Sequence, residues 1–230
     1  MTGIRVAALR RFPVKSMLGE LCEWLDLDAR GSVGDRVWSV RTAEGKIASG
    51  KDTRRFAAVI GMLELRASER AGRVVITFPG GVESAVDDPA TPGLLSMHLG
   101  RTVTVARETE VSHFDDGPVS LVGTASVDAL GTERSEEVDS ARFRPNILLA
   151  TDEPFVEDSW IGRRVEVGSA ALRVLARSPR CVMINMASAD LPEQRGNLAA
   201  IGRLHDACLG VIANVEAPGR IALGDELRPA

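Results

Sequence analysis

The sequence predicts a mainly β chain, a β-rich α+β fold with a few short helices, on three observations. Short strand-like runs recur at close spacing, as in residues 73–78 (Arg-Val-Val-Ile-Thr-Phe) and 101–107. Glycine-bearing turns punctuate them at Gly31, Gly34, Gly45, Gly50 and Pro79-Gly80-Gly81. No G-x-G-x-x-G or Walker pattern is present to call for βαβ units, so a barrel or sandwich is expected.

Each element follows from its own pattern. Residues 3–14 alternate apolar positions, Ile4, Val6, Ala8 and then Phe12 and Val14, the period of a half-buried strand. The run breaks at Lys15-Ser16-Met17-Leu18-Gly19-Glu20, where a strand end presents a cation beside a hydroxyl or simply turns with a solvated lysine. Residues 21–27 and 36–41 read as strands, the second turned back by 42–46 toward Ile47 and Ala48. Over 56–66 the helical spacing of Ala57, Ile60 and Leu63 is opposed by Gly61. Asp87-Asp88-Pro89 opens a short helix that carries His98 and closes at Gly100.

The turn-rich residues 112–118 mark a boundary between two lobes, residues 1–100 and 115–230. His113 beside Asp115 and Asp116 has the makings of an oriented base, but nothing in sequence pairs it with a nucleophile, and a loop role is the favoured reading. After a strand at 119–122, residues 125–130 read as a helix with Thr124 as its N-cap. Its N-terminus, with Thr124 and Ser126, suits an anion, although capping explains both hydroxyls equally well. Ala141-Arg142-Phe143-Arg144-Pro145-Asn146 then precedes an apolar strand at 147–150, offering guanidinium forks for a phosphate and an amide edge for a heterocycle. Residues 160–168 read as strand, glycine turn and strand, and 198–209 as an amphipathic helix with His205 and Cys208 on its core face.

Composition removes several function classes. With 44% apolar residues in 230 the chain can build a real core, which excludes disorder. Its apolar runs are interrupted by charge well before the roughly 20 residues a membrane span requires. Arg5, Arg10 and Arg11 interrupt the N-terminus as well, so no signal peptide and no membrane role is expected, and a cytoplasmic location follows. The net charge of −4, with no basic block interleaved with aromatics, argues against nucleic acid. Cys22, Cys181 and Cys208 form no C-x-x-C pair and His98, His113 and His205 no i, i+4 pair, which argues against a disulfide scaffold or a protein-only metal cage. Of 28 cationic residues 25 are arginine, so the three lysines, Lys15, Lys46 and Lys51, carry more information than any one arginine.

The chain is organised around residues 176–186, Ala-Arg-Ser-Pro-Arg-Cys-Val-Met-Ile-Asn-Met, which follow a strand-like run at 171–175. Arg177 and Arg180 flank the approach to Cys181, with Pro179 expected to fix a turn between them, and neighbouring guanidinium charge favours a thiolate, the form that acts as nucleophile or soft-metal ligand. A packed, inert cysteine is the competing reading, and the spacing alone leaves both open.

Five segments in register resemble a known family. Phe12-Pro13-Val14-Lys15-Ser16, Gly34-Asp35-Arg36-Val37-Trp38, Phe143-Arg144-Pro145-Asn146-Ile147, Arg180-Cys181-Val182-Met183 and Gly219-Arg220-Ile221-Ala222-Leu223-Gly224-Asp225 occur in the order seen in MOSC proteins. The likeness is to the C-terminal domain of molybdenum cofactor sulfurases, with the β-barrel lobe that precedes it in the amidoxime-reducing branch. It implies two associated β lobes holding a pterin-based molybdenum cofactor (Mo-molybdopterin), with Cys181 as the metal ligand and catalytic centre. Lys15, Ser16, Arg36, Arg144 and Asn146 match positions that hold the cofactor's phosphate and pterin, and Arg180 belongs to the cysteine motif. With Thr124 and Ser126 from the helix start, these are the expected site. Ser49-Gly50-Lys51-Asp52 departs from the family's pattern on the substrate side of the pocket, and Ile184-Asn185-Met186-Ala187-Ser188 departs from the run that follows the cysteine in relatives.

The implied activity is an oxidoreductase that reduces small N-oxygenated, N-hydroxylated compounds, with electrons from a separate donor protein. The alternatives are a sulfur carrier or sulfurtransferase using a Cys181 persulfide, and a non-catalytic carrier of the cofactor. No lysine context supports pyridoxal phosphate.

Overall fold

The computed structural model describes residues 3–229. It is β-rich with three α-helices among the described residues, as the turn spacing implied. The largest sheet has eight strands in the order Leu227–Pro229, Arg164–Val167, Ala170–Pro179, Cys208–Ala217, Val119–Gly123, Ile147–Ala150, Arg5–Arg11 and Glu20–Cys22. It closes on itself, because Leu227 N–H donates to the Ile4 carbonyl and Val6 N–H to that of Asp225 (2.8 and 2.9 Å), which removes an open edge. The inward residues of its alternating strands, among them Leu9, Leu121, Ile147, Leu149, Leu172 and Val211, are 0% exposed and form one core. Each such side chain contributes roughly 1.5–3 kcal/mol through burial.

A second core is built around Val14, Met17, Val40, Leu65 and Ile76, and the helix Thr91–Leu99 packs against it through the fully buried Leu95. Two smaller sheets enclose it, Val103–Arg107/Trp38–Thr42/Ile47–Ser49/Phe56–Ala58 and Glu83–Ala85/Arg73–Thr77/Arg66–Arg70.

The packing exchanges segments across the two expected lobes. Val6, Leu9, Leu25 and Leu27, all within the expected first lobe, belong to the core of the later residues. Arg5–Arg11 pairs with Ile147–Ala150, and Trp24–Asp28 pairs with Gly219–Ala222. The chain therefore starts in one lobe, crosses at Phe12–Ser16, returns for the strands between Glu20 and Ser32, crosses again before Trp38–Thr42, and comes back at residues 112–118.

Local expectations also shift. Gly61, at φ 94°, opens a single 3-10 turn, Met62–Glu64, in place of a helix. The strand before Cys181 runs on to Pro179, so that proline ends a strand and makes no turn between the arginines. The last helix stops at His205, because Asp206 and Ala207 both take left-handed backbone (φ 51° and 58°). Cys208 consequently begins a strand and shares no helix face with His205. No described helix is long and apolar enough to cross a membrane.

Candidate functional site

The crossing at Phe12–Ser16 builds the site. Phe12 is 3% exposed, and its ring carries two guanidinium groups, Arg144 at 4.3 Å and Arg36 at 4.9 Å from the centroid. Asp35, fully buried, accepts from Phe12 N–H at 2.7 Å and ion-pairs with Arg36. His113 holds the same segment from behind. Its ring lies within hydrogen-bond reach of the Arg36 carbonyl through Nδ1 (3.1 Å) and of Ser39 Oγ and Arg41 through Nε2 (3.1 and 3.2 Å). Burial, reinforced by Arg41, lowers its pKa, so it is a neutral positioning residue turned toward Arg36 and not a base served by Asp115.

Three non-glycine residues with left-handed backbone meet here: Ser16 (φ 68°), Arg36 (φ 52°) and Arg144 (φ 52°). Such geometry costs on the order of 1–3 kcal/mol per residue and concentrates where side chains are held for function. All three line a cleft of about 250 Å³ between the lobes.

The cleft is strongly cationic. Lys15, Arg36, Lys51, Arg142, Arg144 and Arg180 line it, against the carboxylates of Asp115 and Asp116. Lys15 is 3% exposed, and burial lowers its pKa to about 8 against the opposing pull of Asp115. Asp115 bridges Lys15 and, at 2.9 Å, Lys51; burial would raise its pKa, but the two ammonium groups overcome this and hold it well below the usual carboxylate range. Burial lowers the Arg144 pKa to about 9, with the Arg36 charge adding to the effect; its Nη1 donates to the Met17 carbonyl at 2.6 Å. Ser16 Oγ, on a residue 2% exposed, has no hydrogen-bond partner within the protein. An unpaired buried hydroxyl beside this excess of positive charge is the arrangement an anionic ligand completes.

Cys181 is a free, half-buried thiol at the end of the strand Ala170–Pro179, where the backbone enters the 3-10 turn Val182–Asn185. Arg180, Arg144 and Lys51 face the same space as the Cys181 thiol. Arg177, expected beside the thiol, instead pairs with Asp158 at 2.7 Å and Asp206 at 3.3 Å. The cationic surroundings of Cys181 thus come from distant residues and from Arg180.

Lys15, Ser16, Arg36, Arg144, Asn146, Arg180 and Cys181 are brought together, and two of them prove to be spent on the protein itself. Asn146 is 1% exposed; its Oδ1 accepts from Ser120 N–H and Oγ–H (3.2 and 3.1 Å), and its Nδ2 donates to the Arg10 carbonyl at 3.3 Å. Arg180 donates from Nε to the Leu209 carbonyl at 2.8 Å and from Nη1 to that of Phe143 at 3.0 Å. It therefore fixes the Cys181 segment against two neighbouring elements.

Thr124 and Ser126 lie outside the cleft. The helix begins at Thr124, with Gly123 as the capping position, and its N-terminus is already served by Glu157, a fully buried carboxylate. Glu157 Oε1 accepts from Gly123 N–H at 3.2 Å and Ser126 Oγ–H at 2.8 Å, while Thr124 Oγ1 donates to the Thr151 carbonyl at 3.4 Å. The helix end does attract an anion, and the protein supplies its own. Sequence reasoning missed Lys51 and Asp115 as site residues, although the scarcity of lysine pointed to Lys51.

The Lys15 value sets a pH dependence. Above about pH 8 the unliganded protein loses this positive charge, so the affinity for sulfate, which does not titrate in this range, should fall by up to about tenfold per pH unit. Calorimetric titration across pH 6.5–8.5, below the range where Arg144 contributes, measures it, and Lys15→Met should bind more weakly with a flatter profile.

Residues 3–114 match the MOSC N-terminal beta barrel domain and residues 100–228 the MOSC domain. A molybdenum cofactor sulfurase of Oryza sativa subsp. japonica is 20% identical over 81% of this chain, and mitochondrial amidoxime reducing component 2 of Rattus norvegicus is 34% identical over 42% of it. The aligned parts make up 29% and 28% of those two proteins, so the chain spans under a third of the length of these relatives. The crystal structure of the YUAD protein from Bacillus subtilis superposes with a TM-score of 0.56 at 16% identity, covering 98% of this chain and 94% of that one, a likeness of fold. With both domain models accounted for along nearly its whole length, the chain belongs to the MOSC family.

Proposed function

We propose that the cleft between the lobes binds a pterin-based molybdenum cofactor, with Cys181 as a protein ligand to the metal, and that the protein reduces small N-oxygenated compounds. The observation that carries this reading is the convergence on one cleft of a half-buried thiol, six cationic side chains and the unpartnered Ser16 hydroxyl. The donor set fits the group. Lys15, Lys51, Arg36 and Arg144 are suited to a phosphate, the Ser16 hydroxyl to one of its oxygens, and a thiolate to a metal that the cofactor already holds through sulfur. The sulfurase relative's name supports the molybdenum cofactor, and the amidoxime-reducing relative's name supports the reduction.

When bound, the cofactor supplies two-electron oxygen-transfer chemistry. The chain's own residues bind and orient it. Phe12 and Asp35 hold the guanidinium of Arg36 in place, Phe12 also supports that of Arg144, and Arg180 fixes the backbone that presents the thiol. Lys15 holds a proton at Nζ through neutral pH, paired with Asp115. Cleaving one N–O bond of an N-hydroxylated substrate consumes two electrons and two protons and releases water; a separate donor protein provides the electrons.

Protein purified from a cofactor-producing host should turn over an N-hydroxylated amidine with an artificial electron donor, and Cys181→Ser should not. A labile extra sulfur on Cys181 in the intact mass, with no turnover, would contradict this and favour sulfur transfer.

A further inference from the structure

A second cavity, of about 280 Å³, lies beside the cleft. Its floor is apolar, with Val59, Met62 and Leu63 at 4%, 2% and 8% exposure, and Ile60 forms an exposed lip. Ser49-Gly50-Lys51 is a wall common to both spaces, with Ser49 and Lys51 lining the cleft and Gly50 lining the cavity. Opposite this wall, Met183 lines the cleft and Met186 the cavity. A Cβ placed on Gly50 would lie 2.5 Å from Met183 Cγ and 2.9 Å from Met186 Sδ, so the missing side chain is what lets the two thioether chains close the partition. Methionine is unbranched and adaptable, which makes this partition easy to displace without moving the backbone.

The charge of the second cavity is opposite to that of the cleft. Glu64 and Glu193 are its lining carboxylates. Glu64 faces His98 Nε2 at 3.5 Å, and Glu193 pairs with the exposed Arg195 at 3.0 Å. A carboxylate has about four acceptor positions, so both keep capacity for a further donor.

We propose that this cavity is the substrate site, taking the apolar body of a small molecule with a basic group that Glu64 and Glu193 receive, and directing its other end past Met183 and Met186 toward Cys181. The inference rests on the cofactor reading above, because an anion held in the cleft occupies the cationic side and leaves this approach to the substrate. Opposite charge in the two spaces keeps the two ligands from competing.

Benzamidine, titrated into the cofactor-free protein in saturating sulfate and followed by amide chemical shifts, tests the assignment. It should shift the Gly50 and Gly61 amides, bind at least about fivefold more tightly than neutral benzyl alcohol, and lose that preference in E64Q/E193Q, whose exposed substitutions leave the fold intact. An unchanged preference in the double variant, binding that appears only when sulfate is left out, or unmoved Gly50 and Gly61 amides would overturn it. If protein purified from a cofactor-producing host holds no molybdenum while the cofactor-free protein gives the expected benzamidine result, the cofactor reading falls and the cavity stands as a site for a basic apolar ligand.

Discussion

Arg144→Met should lower the affinity of the cleft for pyrophosphate at least about a hundredfold while making the unliganded protein more stable, by about 2 kcal/mol. The affinity loss follows from removing a guanidinium fork whose charge-assisted hydrogen bonds are each worth about 1.5–3 kcal/mol. The stability gain follows from the cost of keeping that charge in the fold. A pKa lowered from 12.5 to about 9 means the charged form is disfavoured by several kcal/mol, at about 1.4 kcal/mol per unit. Access of water from the cleft reduces that figure, and the Met17 carbonyl, left without its 2.6 Å donor, takes back about 1–3 kcal/mol. A methionine keeps the contact with Phe12. Calorimetric titration and chemical denaturation measure the two effects, and their opposite signs distinguish a binding residue from a structural one, whose loss would lower stability.

The same argument applies to the strained backbone at Ser16, Arg36 and Arg144. Strain, buried like charge and an unpaired hydroxyl are features a sequence selected for stability alone would shed. They coincide at one cleft, and the residues that support them, Phe12, Asp35 and His113, are well packed and fully hydrogen-bonded where they touch it.

Much of the β architecture was legible because alternation is local. The strands at Arg73–Thr77, Val103–Arg107 and Ile147–Ala150 could be read from their own side chains. Partnership was not legible, because alternation says that a strand has a buried face and is silent about the sheet it joins. Arg5–Arg11 pairs with a strand some 140 residues later, so the first residues joined the opposite core from the one their position suggested. The apolar spacing through Cys208 hid a helix end that depends on two left-handed residues with no glycine to announce them.

The candidate site divides the same way. Lys15, Ser16, Arg36, Arg144 and Cys181 were found through motifs, which identify residues by neighbourhood in sequence. Asp115 lies 100 residues from Lys15, and its bridge to Lys15 and Lys51 exists in the fold alone. Side-chain direction was equally hidden: Arg177 and Arg180 look alike beside Cys181, yet one points to Asp158 and the other to main-chain carbonyls. Thr124 and Ser126 satisfied a sound rule about helix ends, and Glu157, some thirty residues away, had already met it.

Cys181→Ser should abolish metal retention with little change in stability. The substitution replaces sulfur by a harder oxygen of similar size at a half-buried position, so packing changes little, whereas the soft donor is lost altogether. The anion-binding residues remain, and sulfate affinity should stay within about threefold of wild type, since no phosphate-binding charge is removed. Molybdenum content per chain, measured on wild type and Cys181→Ser purified side by side from a cofactor-producing host, is the most direct test. About one equivalent in the wild type and almost none in the variant is the predicted result; equal content in both, or none in either, would contradict the assignment of Cys181 and its cleft to the cofactor.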